Sequence, residues 1–268
     1  MADFPCRLAA HGKKAMKDAQ IVSVHSYRGG TGKSNLTANL GVLLAKRGMD
    51  VGLVDMDVQS PGIHALFGFD STSFDHCLND YLWARCPVER AVYDLGPRLE
   101  APVPGRLHLL PSSIHPGDIA RIIHDGYDVE RLNDGLARFV ERMELDVLLI
   151  DTHPGLGEET LLSLALSDRL LVLLRPDRQD YQGTAVTLKV AAQLSVPRIG
   201  LCMNKVPARM PEDLLRDKVE KAYGHSVETV LFHSDEMMDL GSEGIYVLRH
   251  SQADWTQRLE TLAETFGS

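Results

Sequence analysis

Apolar residues in this chain gather in short, nearly unbroken runs. "IVSVHS" (21–26), "DVGLVD" (50–55), "LDVLLID" (145–151) and "DRLLVLLRP" (168–176) are rich in Val, Ile and Leu, and "RIGLCMNK" (198–205) and "ETVLFH" (228–233) follow the same style. Helix-like stretches separate them: "NLTANLGVLLAKRG", "MDVQSPGIHALFG", "VERLNDGLARFVERME", "THPGLGEETLLSLALS" and "QDYQGTAVTLKVAAQLS". Strands apolar on both faces, alternating with helices, predict an α/β fold with a doubly wound, mostly parallel sheet. From about 70 to 106 the rhythm breaks, with Pro87, Pro97, Pro102 and Pro104. We read that stretch as an irregular insertion in one domain spanning 21–268, preceded by an N-terminal extension, 1–20.

Composition narrows the class. The 268 residues are 44% hydrophobic and 24% charged, as in ordinary globular chains. No apolar run approaches the roughly 18 residues of a membrane span. The first twenty residues lack a continuous apolar core, so they do not read as a signal peptide; Lys13, Lys14 and Lys17 could form a basic amphipathic turn. A net charge of −9 argues against a broad nucleic-acid face and leaves a local one open. Cys6, Cys77, Cys86 and Cys202 contain no C-x-x-C pair and read as reduced cytoplasmic thiols. The histidines show no zinc spacing. His64, His153 and His233 read as packed or polar loop residues, and His153 is assigned no chemistry.

"GGTGKS" (29–34), after a strand and before a helix, is the strongest local signal. Gly29, Gly30, Thr31 and Gly32 let backbone N–H groups turn inward around phosphate oxygens, and the helix N-terminus adds partial positive charge. Lys33 is placed to reach the β- and γ-phosphates, Ser34 to ligate Mg²⁺, and Asn35 follows in the same turn. The general P-loop pattern requires glycine at position 27, where Tyr27 stands.

With Arg28 before the glycines, the loop resembles the deviant Walker A loop, K-G-G-x-G-K-[ST], of the MinD/ParA ATPases, P-loop NTPases that sandwich ATP between two subunits. "LVDMDVQSPG" is similar to that family's switch I, and "LLIDTHPGLGEETL" to its Walker B strand and switch II. The resemblance, running from about Ile21 to Phe266, implies ATP and Mg²⁺ as ligands and an ATP-dependent homodimer. It implies that Arg28 reaches the partner's phosphates, unless Arg28 neutralises phosphate in its own subunit. It implies that Asp57 orients the attacking water or contacts Mg²⁺ through water, that Asp151 is linked to Mg²⁺, and that Asn204 reads the adenine edge. "CMNK" lacks the N-K-x-D spacing of guanine readers, since Val206 and Pro207 follow.

The resemblance leaves the cargo open. The expectation is a slow, partner-stimulated ATPase switch that positions or regulates an unidentified partner assembly. DNA binding stays open. Membrane binding is disfavoured: Trp255, Leu259, Leu262 and Phe266 form an apolar stripe, but Asp254, Glu260 and Glu264 outnumber Arg258 on the same helix. Two other readings remain: a metal-cofactor maturation NTPase, or a small-molecule ATP-dependent ligase whose substrate pocket lies in the insertion.

Overall fold

A computed structural model describes residues 19–70 and 72–266. The three lysines of the N-terminal extension lie outside the described residues. Eight strands form one sheet in the order β3-β4-β2-β5-β1-β6-β7-β8. Its centre comprises β1 (Gln20–His25), β2 (Val51–Met56), β5 (Val147–Thr152) and β6 (Arg169–Leu174), all parallel and almost wholly buried. β4 (Leu107–Leu110), β7 (Arg198–Val206) and β8 (Val227–Phe232) extend it in parallel. The edge strand β3 (Tyr93–Asp94) runs antiparallel to β4, so the proline-rich segment supplies one border of the sheet.

Unbroken apolar runs suit this sheet because consecutive side chains enter opposite cores. On β5, Val147 and Leu149 join the core built on α1 (Lys33–Lys46) and α11 (Asp254–Ala263), whereas Leu148 and Ile150 join that of α5 (Val129–Met143). Trp255, Leu259, Leu262 and Phe266 are buried in the first core. The fold is therefore an α/β, doubly wound, mostly parallel sheet with helices on both faces.

The remaining helices include α2 (Ile63–Leu66), α3 (Leu78–Leu82), α4 (Pro116–Asp125), α6 (Glu158–Leu166), α7 (Arg178–Gln193), α8 (Glu212–Tyr223), α9 (Asp235–Asp239) and α10 (Tyr246–Arg249). The helical reading of "MDVQSPGIHALFG" reduces to the single turn α2, because Ser60, Pro61 and Gly62 hold the preceding residues in a loop. No helix among the described residues is long and apolar enough to cross a membrane.

Candidate functional site

The site is assembled at the C-terminal ends of β1, β2, β5 and β7. β1 ends at His25, and the chain turns back through the glycine loop into α1, which starts at Lys33. Gly30 and Gly32 take φ of 74° and 98°, left-handed values open to glycine at no steric cost. A Cβ at Gly32 would also lie 2.6 Å from the Asn204 side-chain nitrogen. Within the loop, Thr31 Oγ1 donates to Ser26 Oγ at 2.8 Å, and Ser26 Oγ donates to the Arg28 carbonyl at 2.6 Å. The inward-turned loop and the first turn of α1 can cradle phosphate. Lys33 is buried at its head.

Two carboxylates face each other under this cradle. Parallel register sets Asp55 on β2 directly beside Asp151 on β5. Asp55 is fully engaged: it accepts from the backbone N–H groups of Asp57 (3.2 Å), Gly62 (2.9 Å) and Ile63 (3.1 Å). That carboxylate shapes the whole loop from 57 to 62. Asp151 differs, since both of its oxygens are buried without a hydrogen-bond partner of ordinary geometry. Burial raises its pKa to about 6, opposed by the Lys33 ammonium and the nearby Ser34 hydroxyl and reinforced by Asp57. Asp55 is held well above the carboxylate range, first by burial and then by Asp151. Buried, unpaired carboxylate oxygens next to a hydroxyl are a donor set for a hard divalent cation.

Asp57 leans toward the opposite loop. Its Oδ1 accepts from Ser60 N at 3.1 Å and stands 3.8 Å from His153 Nε2. Burial raises its pKa, and His153 and Lys33 pull it down. The structure thus brings Lys33, Ser34, Asp57 and Asp151 together.

Asn204 and Arg28 are placed less simply. Asn204 Nδ2 donates to the Thr31 carbonyl at 2.8 Å and its Oδ1 accepts from Lys205 N at 2.9 Å, so its amide braces the glycine loop. It also lines, with Gly32, Asn35, Phe232, Met237 and Trp255, a cavity of about 320 Å³ beside the loop. Arg28 is turned outward, with Nη1 3.9 Å from Asp177 Oδ1 and 3.8 Å from Asp180 Oδ1.

Sequence reasoning missed several residues. Lys205 takes φ of 54° and donates from Nζ to the Gly30 carbonyl at 2.8 Å. Arg175 grips Asp180 through Nε at 2.8 Å and Nη2 at 3.2 Å. His25 pairs with Thr152 through Nδ1 at 2.8 Å beneath the cradle. None carries a motif of its own; Lys205 alone was signalled, by its place next to Asn204.

A glycine cradle heading a helix, with carboxylates at the ends of two neighbouring strands, defines the class of P-loop nucleoside triphosphatases. The model of a family described as an AAA domain matches residues 19–196. An uncharacterized ATP-binding protein of Methanocaldococcus jannaschii is 26% identical over 194 residues, 70% of this chain and 65% of the relative. An iron-sulfur cluster carrier protein of the same organism is 27% identical over 192 residues, 68% of this chain and 59% of the relative. The match thus spans less than two thirds of either relative. MinD of Pyrococcus horikoshii, solved with Mg-ADP, superimposes with a TM-score of 0.77 at 20% identity, over 92% of this chain and 95% of that one. MinD in a MinC:MinD complex from Aquifex aeolicus gives 0.76 at 18% identity, over 92% and 95%. The chain belongs to the AAA domain family so matched, and it shares the fold of these MinD structures.

Proposed function

We propose that this protein binds and hydrolyses ATP and uses the nucleotide state to switch between a monomer and a homodimer that positions or regulates a partner assembly. The observation that carries the nucleotide reading is Asp151, a fully buried carboxylate that faces the Ser34 hydroxyl and the Lys33 ammonium at the foot of a glycine cradle. Ser34, Asp57 and Asp151 would hold Mg²⁺, which supplies neutralisation of phosphate charge when bound. Gly29 to Asn35 cradle the phosphates, Lys33 meets the γ-phosphate, and the cavity lined by Asn204 takes the base. Residues 21–268 act as one ATPase domain carrying the insertion at about 70–106.

The dimer reading is supported by Arg28, whose side chain is 41% exposed and turned toward acidic residues outside the cradle. A residue needed to neutralise phosphate in its own subunit would point inward. We assign hydrolysis a slow basal rate with stimulation by the partner, in the cytoplasm.

The iron-sulfur carrier named among the relatives favours a metal-cofactor role. Against it, Cys77, Cys86 and Cys202 are buried, and burial pushes the Cys77 thiol up to about 12. The switch reading therefore stands first.

Calorimetry and light scattering test both halves. ATP with Mg²⁺ should bind more tightly than GTP, and Asp57→Ala should bind ATP, hydrolyse it slowly and accumulate as a dimer. An Asp57→Ala protein that stays monomeric at saturating ATP would overturn the switch; absence of ATP binding by the unaltered protein would overturn the nucleotide reading as well.

A further inference from the structure

His153 stands on the loop after β5, across from Asp57. Its backbone is fixed from behind: Thr160 Oγ1 donates to the His153 carbonyl at 3.1 Å. The next residues pack on the glycine loop, because Gly155 N donates to the Ser26 carbonyl at 3.4 Å and a Cβ at Gly29 would lie 3.9 Å from the Pro154 ring. The ring faces switch I.

The ring's hydrogen bonding is determined by its partners. Nδ1 lies 2.6 Å from the Pro154 carbonyl. A carbonyl oxygen only accepts, so Nδ1 carries the proton. In the neutral imidazole, Nε2 is then a bare acceptor, and it points at Asp57 Oδ1 across 3.8 Å. Two acceptors at that separation make no hydrogen bond with each other. The gap suits one molecule with two donors, a water about 2.8 Å from each atom. Asp57 keeps its own orientation through Ser60 N at 3.1 Å.

We propose that His153 Nε2 and Asp57 Oδ1 together hold the water that attacks ATP, making His153 a second acceptor for the nucleophile. This rests on the ATPase reading above. The attack forms a bond from the water oxygen to the γ-phosphorus as the bond from that phosphorus to the β,γ-bridging oxygen breaks. ADP leaves, one proton of the water stays on inorganic phosphate and the other passes to solvent. His153 Nε2 accepts a hydrogen bond in this arrangement and takes up no proton from the water. Switch I then orients the water only when switch II is seated against it, so both loops must close before ATP is cleaved.

Single-turnover hydrolysis and ATP affinity, measured on the full chain with Mg²⁺, separate the alternatives. His153→Leu preserves bulk and removes the acceptor; it should slow hydrolysis at saturating ATP about tenfold and leave ATP affinity within about twofold. His153→Gln places an acceptor near Nε2 and should recover most of the rate. Unchanged hydrolysis in His153→Leu overturns the proposal, with the ATPase reading intact because the unaltered protein turns over. A slow His153→Leu that Gln does not rescue, or that loses ATP affinity in parallel, overturns it in favour of a structural role. If the unaltered protein binds and cleaves no ATP, the ATPase reading itself falls.

Discussion

Arg28 Nη1 lies 3.8 Å from Asp180 Oδ1, while Arg175 holds the same carboxylate from the other side with a two-pronged grip. Asp180 is 3% exposed; burial raises its pKa, but the Arg175 hydrogen bonds, with the Arg175 and Arg28 charges, together lower it. The inner arginine therefore satisfies the aspartate, and the outer one, also 3.9 Å from Asp177, is held only by longer contacts.

That inequality makes Arg28 the releasable partner. Asp177→Asn removes one carboxylate facing Arg28 but keeps an oxygen for the cap that Asp177 places on Gln179 N and Asp180 N. Exposed pairs of this kind contribute about 0.2–1 kcal/mol per subunit, so with two Arg28 side chains released per dimer, ATP-dependent dimerisation should strengthen by no more than roughly thirtyfold at low salt. The gain should fade as salt rises. Sedimentation across a protein dilution series reads the midpoint; no change at low salt means that Arg28 is not redeployed on dimerisation.

Asp151 gives a prediction of the opposite kind, in which loss of function raises stability. Its pKa of about 6 lies above the ordinary 3.8, so ionisation weakens the fold. The sign is fixed: the penalty is absent below pH 3.8, grows through the interval and is complete above about 6. Each unit is worth about 1.4 kcal/mol, so Asp151→Asn should gain on the order of 3 kcal/mol at pH 7 without nucleotide. The gain should shrink to about a third of that at pH 4.5, which lies inside the interval. Stabilisation by ATP with Mg²⁺ should disappear in the same variant. Thermal melts at pH 7 and pH 4.5, with and without Mg-ATP, check both arms; an Asp151→Asn protein that still gains stability from Mg-ATP contradicts the assigned role.

Local chemistry made the central features legible in the sequence. The runs around Val24, Leu53, Leu149 and Leu171 could only be buried strands, and glycines followed by Lys33 could only be a strand-to-helix turn. Asp151 was legible because a carboxylate closing an apolar strand needs a partner. What stayed hidden depends on register and side-chain direction. Nothing in "LVDMD" tells that Asp55, not Asp57, folds the loop, since that follows from three backbone N–H groups converging on one carboxylate. Asn204 was placed at the right end of β7, but its amide is spent on Thr31 because the chain approaches the glycine loop within hydrogen-bonding distance. The antiparallel β3 was hidden for a different reason: a two-residue strand carries no periodicity.

At the opposite end of the sheet, Arg169 is fully buried. Its Nη2 pairs with Glu228 and donates to Thr265 Oγ1 at 2.8 Å, and its guanidinium lies 4.3 Å over the Phe266 ring. This ties the residues after α11 to the starts of β6 and β8. Removing one member of a buried pair strands the other, a loss of about 3–5 kcal/mol, whereas apolar replacement of both is often nearly neutral. Arg169→Met alone leaves Glu228 only the half-exposed Arg198 at 3.6 Å and should be destabilised, and adding Glu228→Met should restore most of the loss, because Arg198 can turn to solvent. Urea unfolding of the single and double variants decides; losses that simply add would show that the two charges do not depend on each other.

The last prediction concerns His25, the residue that joins β1 to the glycine loop. Thr152 Oγ1 donates to the Val24 carbonyl at 3.1 Å, so it accepts from His25 Nδ1, and His25 Nε2 is left buried without a partner. Burial lowers the pKa to about 3, helped by the Lys33 and His153 charges. The unfolded chain takes up a proton below pH 6.5 that the folded chain refuses until about pH 3. Stability must then fall as pH drops through that interval, at up to about 1.4 kcal/mol per unit from this residue. Acidic groups contribute slopes of their own, so the difference between two proteins is the useful quantity. His25→Asn keeps a donor for Thr152 and does not titrate. It should be less stable at pH 7, through lost volume, and its disadvantage should narrow steadily from pH 6.5 to pH 4.5. Urea midpoints across that range measure the narrowing, and parallel curves would mean that His25 is protonated, or free to open, within the folded protein.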